Sequence, residues 1–254
     1  MSTPKEHLYN MSVQPTLPLL TNALTSLGLP TPHSAFLTPI LTPGPSQRLP
    51  PLTVLTATAK HRLLSSEFTQ PSILSATAPS FPPRISDASV VSLILQADIP
   101  VQVLEIEDLS KSKWEQIEVL EMERKGEMTK GREVIRVVAE AEGPSTASTQ
   151  ALANTTTAPK SYGPFKLCMQ DVKGQKVYGF ELKRVEKIGY PPTMCIGCKL
   201  ILKTGSKVAR GMVLLEPGLT VVLGGKIEGL DKSWRDGREQ ALRDVVGERR
   251  STET

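Results

Sequence analysis

The sequence predicts a mostly β protein with a helical N-terminal region: a small barrel of short strands, with short helices before it and one helix after it. Three observations carry this. Residues 163–224 are strand-forming runs separated by glycine-containing turns, fifteen of the 21 prolines lie in residues 1–100, and residues 230–246 mix both charges as a solvated helix does. A length of 254 residues accommodates one ordinary domain with substantial additions, or two small ones. With 39% hydrophobic and only 4% aromatic residues, one large aromatic-rich core is excluded.

Each proline removes an amide donor and fixes φ, so the first hundred residues form neither a continuous sheet nor a long-helix bundle. Short helices between loops are what remains. Leu17, Leu20, Leu24 and Leu27 recur at three- and four-residue spacing as one apolar stripe, which Gly28, Pro30 and Pro32 stop. Ser34 to Leu41 supplies another turn or two before Pro43-Gly44-Pro45. A third helix is expected between Leu52 and Phe68, with Leu52, Leu55, Ala59, Leu63 and Leu64 on one side. Residues 70–85 are rich in Pro and Ser and read as loop, and Val90 to Leu95 as a short helix or the lead-in to a strand.

At Pro100 the character changes. Val101, Val103 and Ile106 mark a strand, with Leu104 on its opposite face. Residues 110–127 turn helical and charged, with Glu121 and Lys125 at i,i+4 spacing. Residues 132–138 (REVIRVV) are β-branched and extended, while residues 141–160, almost purely small and polar, read as a disordered linker. Beyond it, Phe165, Leu167 and Met169 alternate with Lys166, Cys168 and Gln170 as in a half-buried strand. Asp171-Val172-Lys173-Gly174 is a hairpin turn. Gln175 to Val185 returns with Val177 on one face and Tyr178, Phe180 and Leu182 on the other. Three further strands are expected at 198–203, 211–215 and 220–224.

Five or six short strands in so small a unit must close on themselves or expose sheet edges. A five-stranded Greek-key barrel of the oligonucleotide/oligosaccharide-binding (OB) type fits, with a long insertion between strands one and two. The resulting boundaries are a disordered tail at 1–12, the short-helix region at 13–97, the OB-fold barrel at 98–230 with its insertion at 109–162, the C-terminal helix at 231–247 and a disordered tail at 248–254.

The net charge of +4 conceals an asymmetry. Residues 166–215 hold ten Lys or Arg (166, 173, 176, 183, 184, 187, 199, 203, 207, 210) against three acids (171, 181, 186), a local surplus of +7. Such a field favours phosphate backbones or an acidic protein surface, and is equally the mark of a sheet face kept soluble by charge. Lys166, Lys176, Lys183, Arg184, Lys199, Lys203, Lys207 and Arg210 are the candidate DNA contacts. Trp114, in a charged helical stretch, either anchors the insertion on the barrel or projects to a partner, where Trp is a frequent anchor.

Enzymatic signatures are missing. Cys195 and Cys198 form a CxxC pair, but a structural zinc needs four ligands, Cys168 is isolated, and His7, His33 and His61 all lie in the proline-rich half. The run Leu223-Gly224-Gly225-Lys226 lacks P-loop spacing and reads as backbone crowding at the barrel closure. No catalytic residue, metal or cofactor is expected. An odd cysteine count, no apolar run long enough to span a bilayer and no secretory leader pattern point to an intracellular, non-membrane protein.

The elements RGMVLLEP (210–217) and VVLGGKIEGL (221–230), with the charged helix after them, resemble the RecQ-mediated genome instability protein 1 family. VQVLEIEDLSKSKWEQIE (101–118) and TKGREVIRVV (129–138) are similar to its fungal branch, and SLGLPTPHSAFL (26–37) to its helical N-terminal region. The resemblance implies a nuclear, non-catalytic DNA-repair subunit that partners topoisomerase III and a RecQ-family helicase. Such a subunit stimulates and stabilises the topoisomerase and promotes double Holliday junction dissolution in homologous recombination, on DNA junctions and single strands. It implies that the insertion docks at the topoisomerase's DNA gate, making Lys111, Lys113, Trp114, Gln116, Lys130 and Arg132 the candidate partner contacts. Larger animal members carry a second barrel that recruits another subunit; the chain ends at Thr254, and that partner is not expected. The alternative is a stand-alone OB-fold binder of single-stranded nucleic acid, for which the aromatics on offer are Phe165, Tyr178, Phe180, Tyr190 and Trp234. A CxxC oxidoreductase is a third reading.

Overall fold

A computed structural model describes residues 16–42, 49–125 and 163–252. The short helices form where the leucine spacing and the prolines place them: α1 (Leu17–Ser26), α2 (Ser34–Leu41) and α3 (Leu52–Ser65). Pro18 sits in the first turn of α1, where a missing amide costs nothing, and Gly28, at φ +75°, ends the chain's helical path. His33 caps α2, its Nδ1 accepting from Ala35 N at 3.1 Å. Leu20 and Leu24 of α1, Leu37 of α2, and Leu55, Ala59 and Leu63 of α3 meet in one core, each buried leucine stabilising the region by about 1.5–3 kcal/mol.

The barrel comprises β1 (Leu93–Ile94), β2 (Ile99–Asp108), β3 (Phe165–Asp171), β4 (Lys176–Glu181), β5 (Lys199–Leu202), β6 (Lys207–Ala209), β7 (Met212–Leu215) and β8 (Thr220–Gly224). These eight pieces make five barrel strands, because three strands are bent. β1 and β2 are the two arms of strand one, β5 and β6 of strand four, and β7 and β8 of strand five. Strand one pairs with strand four through β1–β6 and β2–β5. Strand four pairs with strand five through β6–β7 and β5–β8. Strand five runs parallel to strand three (β7–β4), and the β2–β3–β4 meander completes the ring. This is the OB-fold connectivity expected from the sequence. Of the two alternatives open for Val90 to Leu95, the short strand β1 forms; β6, too short to display a period of two, has no local signal in the sequence.

In β3 the burial alternates residue by residue, as its sequence does. In β2 it does not. A bulge between Val103 and Glu105 shifts the phase, so Ile106 faces inward with Val101 and Val103 despite the three-residue step. The β3–β4 turn is held by Asp171, whose Oδ1 accepts from Lys173 N (3.0 Å) and Gln175 N (2.8 Å). Its Oδ2 accepts from Phe81 N at 2.8 Å and so seats Phe81, which enters the barrel core with Ile85 and Leu95.

The helical region packs on the barrel. Phe68 N donates to Gln102 Oε1 at 2.9 Å, and Gln102 passes the link to Gln170 Oε1 at 3.0 Å. Val172 and Leu223 of the barrel lie against the helical core. Gly225, at φ +92°, abuts the Leu64 carbonyl of α3, where a Cβ would collide. The crowding expected of the Gly224-Gly225 pair is thus present at Gly225, against a helix; Gly224 faces open space and serves its φ of +88°.

Two helices cover the other end: α4 (Lys113–Lys125), the root of the insertion, and α5 (Glu228–Thr252). α5 begins before residue 231, the expected start, and runs through 248–252, where a disordered tail is expected from the sequence. Its Asp231 is buried, Oδ1 accepting from Ile196 N at 2.9 Å and Oδ2 pairing with Arg235 at 2.9 Å. The expected tail at 1–12, extended piece at 132–138 and linker at 141–160 lie outside the described residues. No helix among the described residues is long and apolar enough to cross a membrane.

Candidate functional site

Alternation along β3 and β4 turns one set of side chains inward and the other onto an outer face. The register sets Cys168 opposite Tyr178 and Lys166 opposite Phe180, with β7 adding Met212 and Leu214 beside Tyr178 and Phe180. Tyr178 is 45% exposed. Lys166 Nζ stands 4.6 Å from its ring centroid and 3.0 Å from Glu107 Oε2, and Lys176 is exposed at the start of β4. A tyrosine face between two lysines can stack a base and hold its flanking phosphates. Beyond Phe180 the face runs into a cleft of about 330 Å³ lined by Pro164, Leu182 and Arg184. Glu181, also in this cleft, is committed: it accepts from Phe165 N (3.1 Å), Val185 N (2.9 Å) and Arg184 (3.0 Å).

The eight candidate DNA contacts do not form one surface. Lys166 and Lys176 flank Tyr178. Lys183 pairs with Glu216 at 2.8 Å, and Lys207, on β6, also acts on that carboxylate, whose pKa is held down by these cations. Arg184 binds Glu181, Lys203 binds Asp98 at 2.7 Å, and Arg210 is exposed in the β6–β7 turn at φ +51°. Lys199 leaves the set. It has no accessible surface, its Nζ donates to Gly197 O at 2.6 Å and lies 4.9 Å from the Phe68 ring, and burial pushes its pKa down to about 8. A phosphate cannot reach it. Of the aromatics, Phe165 is buried, Tyr190 and Trp234 are occupied internally and Phe180 is half-buried on the outer face, so Tyr178 is the most exposed ring of the sheet.

At the insertion root the partner-contact candidates divide. Lys111 and Lys113 are half-buried, and Lys113 bonds Glu107. Burial works to raise the Glu107 carboxyl, but hydrogen bonds from Lys113 and Lys166 outweigh it and hold the group below the usual carboxylate range. Trp114 is 45% exposed, while Ile117 and Gln116 of the same helix are buried. Gln116 therefore faces inward, donating to Asp108 O (3.0 Å) and Lys111 O (3.1 Å) and accepting from Tyr190 OH (2.9 Å) and Arg238 (2.8 Å). Its side chain is not available to a partner. Lys130 and Arg132 lie outside the described residues. Sequence reasoning missed Arg238; the available signal was Trp234 and Arg238 at i,i+4 spacing on one face of α5.

Cys195 and Cys198 close a turn, Cys198 N donating to Cys195 O at 3.2 Å. Burial raises the Cys198 thiol to about 11, opposite to what a redox nucleophile needs. No cluster of three or more metal-ligating side chains occurs among the described residues.

The family model described as "RMI1, N-terminal OB-fold domain" matches residues 81–238. The chain is also 28% identical over 139 residues to the RecQ-mediated genome instability protein 1 of Schizosaccharomyces pombe. That match covers 53% of this chain and 58% of the yeast protein, so the chain spans little more than half the length of this relative. The closed five-strand ring, the insertion between its first two strands and the match over the whole barrel and the start of α5 agree: the chain belongs to the RMI1 N-terminal OB-fold family.

Proposed function

We propose that this chain is a non-catalytic genome-maintenance subunit that works in the nucleus with topoisomerase III and a RecQ-family helicase. It stimulates and stabilises the topoisomerase and promotes double Holliday junction dissolution. The observation that carries this is the mounting of the insertion. Its two ends leave and re-enter the barrel at the directly paired residues Asp108 and Phe165, and its root helix α4 is fixed by buried hydrogen bonds. The name of the yeast relative, RecQ-mediated genome instability protein 1, supports the pathway.

The mechanism is conformational. An insertion that binds one state of a topoisomerase gate better than the other shifts that equilibrium by its differential affinity, about 1.4 kcal/mol for each factor of ten. The Lys166–Tyr178–Lys176 face contributes DNA contact and keeps the junction near the gate. The test is dissolution of a synthetic double Holliday junction by purified topoisomerase III and helicase, with and without this chain. The expected result is a higher yield of non-crossover product when the chain is present. An unchanged yield refutes the proposal.

The exposed Tyr178 favours a second reading, a stand-alone binder of single strands. Tight, base-selective and salt-insensitive binding to oligonucleotides, without any effect on the topoisomerase, supports that reading instead.

A further inference from the structure

One side chain joins four separate parts of the structure. The Arg238 guanidinium projects from α5 and is 4.6 Å from the Tyr190 ring and 4.5 Å from the Trp234 ring. Its Nη1 donates to Ile106 O of strand one at 3.0 Å; its Nη2 donates to Gln116 Oε1 of α4 at 2.8 Å and to the Tyr190 hydroxyl. Tyr190 OH in turn donates to Gln116 Oε1 and accepts from Asp108 N at 3.0 Å. Gln116 holds the carbonyls of Asp108 and Lys111, which bracket the chain's exit from the barrel.

The electrostatics agree with the geometry. Burial acts to discharge Arg238, while Tyr190, Glu105, Glu107 and Asp108 favour its charge. Asp108 is itself buried, and its Oδ2 has no hydrogen-bond partner among the described residues, so the nearby guanidinium is part of what makes this carboxylate tolerable. Further along the helices, Arg243 bonds Glu121, and Arg124 lies 3.6 Å from Glu239. These outer pairs are partly open to solvent, which weakens them. The planar fork of Arg238 is the contact that fixes direction, because it binds a strand carbonyl and a helix side chain at once.

We propose that Arg238 is a positioning residue: from the C-terminal helix it sets the angle at which α4, and with it the insertion, leaves the barrel. The consequence for the topoisomerase rests on the function proposed above; the effect on α4 does not. Arg238→Lys keeps the positive charge and loses the fork. In the full chain it leaves amide exchange in β3, β4 and β7 at the wild-type rate and speeds exchange in residues 117–125 about tenfold, as expected for losing one or two charge-assisted hydrogen bonds. Topoisomerase stimulation falls several-fold. Gln116→Met, which removes the other end of the same bond and also the links to Asp108 O and Lys111 O, accelerates α4 at least as much, and the double variant is little worse than Gln116→Met alone.

Unchanged exchange in α4 overturns the proposal. So does equal acceleration in α4 and the barrel, which makes Arg238 a general stabiliser. Acceleration confined to α4 with full stimulation upholds the positioning role and instead sinks the reading that the insertion acts on the topoisomerase.

Discussion

Raising the pH should stabilise this protein through Lys199, a group that contributes no pH dependence below about pH 8. Its ammonium is fully buried, with one carbonyl acceptor at 2.6 Å and an aromatic face at 4.9 Å. Burial lowers its pKa from 10.5 to about 8, so the fold favours the neutral amine. Below pH 8 both the folded and unfolded chains carry the proton, and stability is flat. Between pH 8 and 10.5 the unfolded chain binds the proton and the folded chain does not, so stability rises with pH by about 1.4 kcal/mol per unit, and by about 3 kcal/mol in total. Other lysines and tyrosines titrate in this window, and the comparison that isolates Lys199 is with Lys199→Met. That variant leaves Gly197 O without its donor, a penalty of about 1–3 kcal/mol that does not change with pH. Urea unfolding of both proteins from pH 7.5 to 10.5 should therefore give a stability difference that moves toward the wild type by about 3 kcal/mol across the window. A difference that stays constant refutes the burial of a charged Lys199.

Other expectations follow from the same geometry. Tyr178→Ala should weaken binding of a labelled oligothymidylate by about 1–3 kcal/mol in fluorescence anisotropy, the range for one stacked base, and Lys176→Ala should reduce the salt slope; wild-type affinity for Tyr178→Ala excludes the outer sheet face as the contact. Gly225→Ala meets both a φ of +92° and the Leu64 carbonyl, whereas Gly218→Ala meets a φ of +83° in open space. Thermal melts should show a loss of about 1 kcal/mol for Gly218→Ala and clearly more for Gly225→Ala, and equal losses contradict the packing of α3 on the barrel. Cys198 should resist iodoacetamide at pH 8 in the folded chain and react once the chain is unfolded; rapid labelling of the folded chain contradicts a buried thiol with a pKa near 11.

What the sequence disclosed, and what it concealed, follows from the range of the interactions. The leucine spacing of α1 and the alternation of β3 are local patterns, and both elements form where the patterns place them. The turn at Asp171–Gly174 is local too, although Asp171's third bond, to Phe81, reaches back ninety residues and had no local signal. Lys199 was misplaced for this reason. In the run Lys-Leu-Ile-Leu all four residues of β5 are buried, because Phe68 covers the lysine from a region more than a hundred residues earlier. The charges of α5 suggested a solvated helix, yet Arg238 and Asp231 point inward to acceptors and donors that only the folded barrel supplies. Gln116 looked like a surface residue of a charged helix and is the buried link between that helix and the barrel.

In the function proposed above, the barrel is a mount and the insertion is the working part. The most direct test is the affinity of topoisomerase III for the full chain and for a chain in which residues 109–162 are replaced by a two-residue turn. Asp108 and Phe165 are register partners in adjacent strands, so the resulting four-residue loop, the two new residues with Gly163 and Pro164, can join them without disturbing the strand pairing. The shortened protein should keep a cooperative barrel melt and lose topoisomerase binding in calorimetry. Binding of both proteins with equal affinity would contradict that function.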